Sequence, residues 1–120
     1  MNEKRGEDLK KRTKAFALQI IKISEALPKT LTGRTIAGQL IRCGTSVAAN
    51  YRAVCRSRSM ADFIAKLGIV IEEGDESAFW LELVVEAGLL KSESVDSLLK
   101  EANEIVAIMT SSSKSAKSNR

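Results

Sequence analysis

The chain of 120 residues contains no histidine. That removes the commonest general base and the commonest metal ligand. Its two cysteines, Cys43 and Cys55, are too few to build a zinc site. On one helix they stand roughly 18 Å apart at helical rise, too far to bridge each other. There is one proline, Pro28, and the aromatic residues are only Phe16, Tyr51, Phe63, Phe79 and Trp80. Few prolines and few aromatics beside abundant aliphatics favour long helices over sheet. No apolar run approaches the eighteen or so residues of a membrane-crossing helix. The opening MNEKRGEDLKKR is charged and has no apolar stretch behind it, so no secretory leader is read. The expectation is a cytoplasmic protein with reduced thiols. It is also a non-enzymatic one, with no cofactor and no metal, because no catalytic constellation remains once these residue types are missing.

What the chain does have is charge, unevenly spread around a net value of +4. Residues 30–58 hold five arginines and no acid, whereas residues 59–90 hold seven acids and one lysine. Two readings follow. Basic and acidic helices lie side by side and steady the fold, or a basic surface attracts nucleic acid. The candidate phosphate contacts are Lys10, Lys11, Arg12 and Lys14 on the first helix, with Arg52, Arg56 and Arg58 at the end of the second. A solvated helix end is the plainer account of the last three, since cations also suit the negative end of a helix dipole. The acidic run Glu72, Glu73, Asp75 and Glu76 lacks the histidines and facing carboxylates of a di-iron bundle. Pairing with Arg42 is therefore expected in preference to metal.

Apolar spacing predicts helices over about 7–27, 33–56, 60–88 and 93–110. Residues 1–6 read as frayed, and residues 111–120 as a polar, disordered tail. Pro28 ends the first helix, and Thr30 or Thr32 caps the second. In the second helix Ile36, Leu40, Cys43, Val47, Asn50 and Val54 form a heptad seam flanked by small residues, with Asn50 as its polar member. Asn50 is accordingly expected in a buried polar network with Arg42, Ser46, Glu73 and Glu76 that fixes register. Ser59 with Asp62 resembles a capping box at the start of the third helix. That helix carries two adjacent seams, one through Leu67, Gly74 and Leu81 and the other through Val70, Ser77 and Val84. Such a broad apolar face suits an interior helix or an oligomer contact. Gly88 closes it, and Ser92 or Ser94 caps the fourth. The fold class expected is all-α, a single-domain, antiparallel up-down-up-down four-helix bundle.

The segments GQLIRCGTSVAANYRA (38–53), DFIAKL (62–67) and EEGDESAFWLEL (72–83) together resemble a bacterial family of four-helix bundle proteins, the 23S rRNA intervening-sequence proteins. These are also labelled S23 ribosomal proteins. The resemblance spans roughly Phe16 to Met109. Ala48 departs from it, where the family often has glycine, and so does Gly74, where alanine is common. The resemblance implies an antiparallel four-helix bundle with no assigned catalytic residue. Such proteins are encoded within insertions in large-subunit ribosomal RNA genes and also elsewhere, so the ribosomal label reflects gene location. They are similar to the accessory protein of diversity-generating retroelements, a homopentamer that binds a reverse transcriptase and nucleic acid through a basic surface. By that likeness the chain is expected to form a homopentamer. Small residues of the second helix and the broad face of the third would pack between subunits. The expected partners are other copies of the chain and RNA or a nucleic-acid-processing protein. The competing expectation is a protein-interaction scaffold whose charges serve only subunit pairing.

Overall fold

The computed structural model describes residues 3–119, and four helices carry most of them: α1 (Glu3–Glu25), α2 (Leu31–Val54), α3 (Met60–Glu86) and α4 (Ser92–Ser118). No strand occurs among the described residues. The helices form a four-helix bundle measuring 47 × 22 × 19 Å. α1 packs along α2, α2 along α3 and α3 along α4, while α1 and α4 meet over a shorter stretch. No described helix is long and apolar enough to cross a membrane.

The helix ends follow local chemistry. Thr30 is the N-cap of α2, its hydroxyl accepting from the Gly33 amide at 3.1 Å. Ser59 caps α3 by accepting from Asp62 N at 3.0 Å, and Asp62 reaches back to accept from the Arg58 amide at 3.1 Å. These bonds satisfy amides that have no partner inside the helix. α3 closes on Gly88 at φ +70°, the left-handed position that favours glycine. Gly88 N donates to Val85 O and Leu89 N to Val84 O, the paired bonds of a Schellman motif. α4 differs from expectation. Its N-cap is Lys91, with no side-chain capping bond, and neither Ser92 nor Ser94 caps it.

Three further differences are informative. α1 begins at Glu3 rather than near residue 7, and Gly6 is buried beside Cys55, whose Sγ lies 4.0 Å from the Gly6 carbonyl oxygen. Met1 and Asn2, expected to be frayed, lie outside the described residues. α4 continues to Ser118 where a disordered tail from 111 was expected, because Ser113 and Ala116 extend its buried stripe beyond Met109. Arg120 lies outside the described residues. In α2, Tyr51 takes the core position expected of Asn50, since the buried set runs Leu40, Cys43, Val47, Tyr51, Val54. A straight helix turns 3.6 residues per turn, so it drifts about 20° per heptad from a strict seven-residue repeat. By the second heptad that drift exchanges one position for the next.

The core joins Phe16 and Ile20 of α1, Leu40, Val47 and Tyr51 of α2, Leu67 and Leu81 of α3, and Ile105 and Met109 of α4. Both apolar seams of α3 are used, with Leu67, Val70, Gly74, Ser77, Leu81 and Val84 all buried. Close crossings depend on glycine at two points. A Cβ on Gly44 would stand 2.7 Å from Ile20, and one on Gly74 would stand 2.9 Å from Val106. Among the described residues no buried side-chain nitrogen or oxygen lacks a hydrogen-bond partner.

Two buried acids of high ordinary pKa give this core an alkaline limit. Burial raises the Cys43 thiol above its usual 9.0 and the Tyr51 phenol above its usual 10.0. The folded state therefore holds both protons more tightly than the unfolded one. That contribution is complete below the unfolded values and is lost as pH climbs through the folded ones. Thermal melts from pH 6 upward are expected to show a level Tm that falls above about pH 9. Tyr51→Phe, which removes one titrating group, is expected to soften the fall, and an equal fall in that variant would count against the assignment.

Candidate functional site

The ends of the helices converge at one end of the bundle. The start of α1, the end of α2, the start of α3 and the end of α4 surround a hollow of about 890 Å³. Its charged lining is Lys10 and Arg5 from α1, Arg56 and Arg58 from the α2–α3 link, and the carboxylates Glu3 and Glu7 at the α1 rim. A second hollow of about 470 Å³ lies between α2 and α3, lined by Arg52, Arg56, Arg58, Lys66 and Asp62 with two alanines. Arg56 and Arg58 belong to both.

The four-residue basic cluster expected on α1 is divided by the helix. Lys10 enters the end hollow, where its Nζ lies 2.7 Å from Glu7 Oε1. That contact holds the exposed Glu7 carboxyl below its usual range. Arg12 turns to α4 instead. Its Nε and Nη2 donate to Glu101 at 2.7 and 2.6 Å, and Glu104 Oε1 lies 3.6 Å away. The hydrogen bonds to Glu101 raise the Arg12 guanidinium above its usual value. A guanidinium held in this bidentate way is committed to the α1–α4 contact. Lys11 and Lys14 are exposed and line neither hollow.

The other three candidates stay together. Arg52, Arg56 and Arg58 are exposed, and no described carboxylate lies within ion-pair distance of their side chains. Lys66 was not foreseen. It donates to Asp62 Oδ2 at 2.9 Å, and this bond, with the Arg58 amide, lowers the exposed Asp62 carboxyl. Arg5 was not foreseen either, since it fell in the stretch read as frayed.

The polar network expected around Asn50 separates into two groups. Arg42 donates to Glu73 Oε2 at 3.2 Å and to Glu76 Oε2, and the Trp80 indole N–H donates to the same Glu76 oxygen at 3.0 Å. Asn50 Nδ2 donates to Ser46 O at 2.9 Å and to Ser46 Oγ at 2.7 Å, both on its own helix. The two groups are not bonded to each other, and neither is fully buried: the Arg42 side chain is 50% exposed. The shift of Tyr51 into the core turns Asn50 outward, and the long side chains of Arg42, Glu73 and Glu76 reach along the surface. The deeper link between these helices is Ser77 Oγ donating to Cys43 Sγ at 3.3 Å.

Among the described residues no group of three or more cysteine, aspartate or glutamate side chains is placed to hold a metal ion.

A family model described as "23S rRNA-intervening sequence protein" matches residues 7–111. Among solved structures, the chain is similar to a protein of unknown function from the S23 ribosomal protein family of Bacteroides thetaiotaomicron. The two are 31% identical with a TM-score of 0.82, over 88% of this chain and 97% of that one. None of the curated proteins matches the chain.

Proposed function

The chain belongs to the 23S rRNA-intervening sequence protein family, and on that premise we propose that it is a non-enzymatic bundle that offers a basic end to RNA. The observation that carries this reading is the convergence of Lys10, Arg56 and Arg58 on one hollow, with Arg52 and Lys66 continuing the cations into the next. Arginines without a carboxylate partner are available to phosphate, which they contact through a planar fork of donors. The protein acts in the cytoplasm as an up-down-up-down bundle. Support for that topology comes from contacts at matching levels: Gly6 with Cys55, Cys43 with Ser77, and Gly74 close to Val106. It assembles as a homopentamer, in which exposed apolar side chains such as Leu18, Ile21, Ile41 and Phe79 gain cover. Five copies multiply the field of each basic end.

The test is an RNA titration at two salt concentrations, with light scattering on the same samples. Each phosphate contact contributes a slope of about −0.7 to −0.9 in log K against log salt, so several contacts make binding fall steeply. The double variant Arg56→Glu, Arg58→Glu is expected to lose about a hundredfold in affinity at low salt, with its mass unchanged. Affinity indifferent to salt, or to the double substitution, overturns the RNA reading. Dissociation of the oligomer in that variant favours the interaction-scaffold reading, in which these arginines serve subunit pairing.

A further inference from the structure

Resting on the RNA reading, we infer that the end hollow takes an unpaired strand, with a base against Phe63 and Met60 and the backbone on Arg56 and Arg58. The lining divides by chemistry. Arg56 and Arg58 form a cationic wall, Met60 and Phe63 a carbon wall, and Ser111 and Ser115 of α4 with Asn119 just beyond it a wall of hydroxyl and amide groups. Those three kinds of surface match the phosphate, base and ribose of a nucleotide. Met60 is 47% exposed, so its side chain is open to a ligand seated in the hollow. Phe63 is half-buried against the core, so its ring is held in place.

A duplex makes poor use of this arrangement. It keeps its base faces stacked inside and turns backbone and a shallow minor groove outward, so the carbon wall finds no partner. An unpaired nucleotide presents its base face, and stacking on an aromatic ring adds to phosphate contact without demanding a sequence. The acids also direct the strand. Glu3 and Glu7 occupy the α1 rim, and Glu7 already engages Lys10. Phosphates are repelled there and favoured at Arg56 and Arg58. Because these two residues line both hollows, a strand seated at the end continues past Arg52 and Lys66 along the α2–α3 side.

Fluorescence anisotropy tests this with a labelled single-stranded RNA of roughly 12 nucleotides, within the usual site size of single-strand binders. A blunt RNA duplex of the same length serves as the comparison. The single strand is expected to bind about tenfold more tightly than the duplex. Phe63→Leu, which keeps an apolar group in the core, is expected to remove most of that preference while leaving duplex affinity and helical content unchanged. Met60→Ala, at an exposed position, is expected to weaken the single strand alone. Equal or tighter binding of the duplex, or full single-strand preference in both variants, overturns the inference. If both RNAs bind equally and both lose affinity in the Arg56→Glu, Arg58→Glu protein, the RNA reading stands and this inference fails. If neither RNA binds, both fail.

Discussion

Gly33→Ala is expected to destabilise the bundle by about 3 kcal/mol or more, the upper range for forcing an extra carbon into a packed site. Gly33 is buried in the first turn of α2. A Cβ there would lie 1.9 Å from the Pro28 carbonyl oxygen and 2.9 Å from the carbonyl carbon. Those are backbone atoms, so no rotamer change relieves the collision. Pro28 has a fixed φ and little freedom to move. Shifting the link also strains the bond by which Thr30 accepts from the Gly33 amide, a cap worth about 1 kcal/mol by itself. Gly38 is the control. A Cβ there meets nothing within 4 Å, and Gly38→Ala should stabilise by about 0.5–1 kcal/mol through helix propensity alone. Urea unfolding of the two variants beside the parent measures both. A Gly33→Ala protein within about 1 kcal/mol of the parent would show that the α1–α2 link is not held as tightly as the geometry requires.

The number and order of helices were legible because each break carries an ordinary signal. The Ser59–Asp62 pair and Gly88 are strong local determinants and act at the two ends of α3 where spacing placed them, while α1 stops at Glu25, three residues before Pro28. The end of α4 was missed for a physical reason. Composition treats TSSSKSAKSNR as polar, but burial asks only that small residues stand at the right turns. Ser113 and Ala116 follow Met109 by four and then three residues, which continues the seam of Ala102 and Ile105. Small side chains give little weight to a hydropathy average, yet they fill a narrow gap between helices.

The candidate site was legible in part, and the limits are geometric. Residues 10, 11, 12 and 14 share one sequence run, but a helix points them in different directions. Only Lys10 lines the end hollow, while Arg12 spans to Glu101. The clue for Lys66 was its distance from the α2–α3 link. It follows Met60 by six residues, as Arg52 precedes Arg58 by six, and positions so related meet across a short connection. Arg5 had no comparable clue, because nothing in the first six residues announced that Gly6 would be buried beside Cys55.

The consequence of the shifted α2 seam is large and is confined to two neighbouring residues. Tyr51→Ala is expected to cost about 3–5 kcal/mol, the range for truncating a buried aromatic side chain. Tyr51 has no exposed surface, and burial holds its phenol above the usual value, with Cys55 adding to that shift. Truncation therefore opens a cavity among core side chains. Asn50→Ala is expected to cost less than about 1 kcal/mol. The Asn50 bonds return to Ser46 on the same helix, and no other helix loses a partner when they go. A strict heptad gives the opposite ranking, with Asn50 as the register-fixing residue and Asn50→Leu as the disruptive change. Equilibrium unfolding of the single variants distinguishes the two packings. Tyr51→Phe keeps the ring and should lose only about 1 kcal/mol, the worth of one hydrogen bond. If Asn50→Ala proved the costlier substitution, α2 would have to be rotated by the roughly 100° that separates successive residues on a helix. That rotation would carry Cys43 away from Ser77, so the same experiment tests the buried contact between α2 and α3.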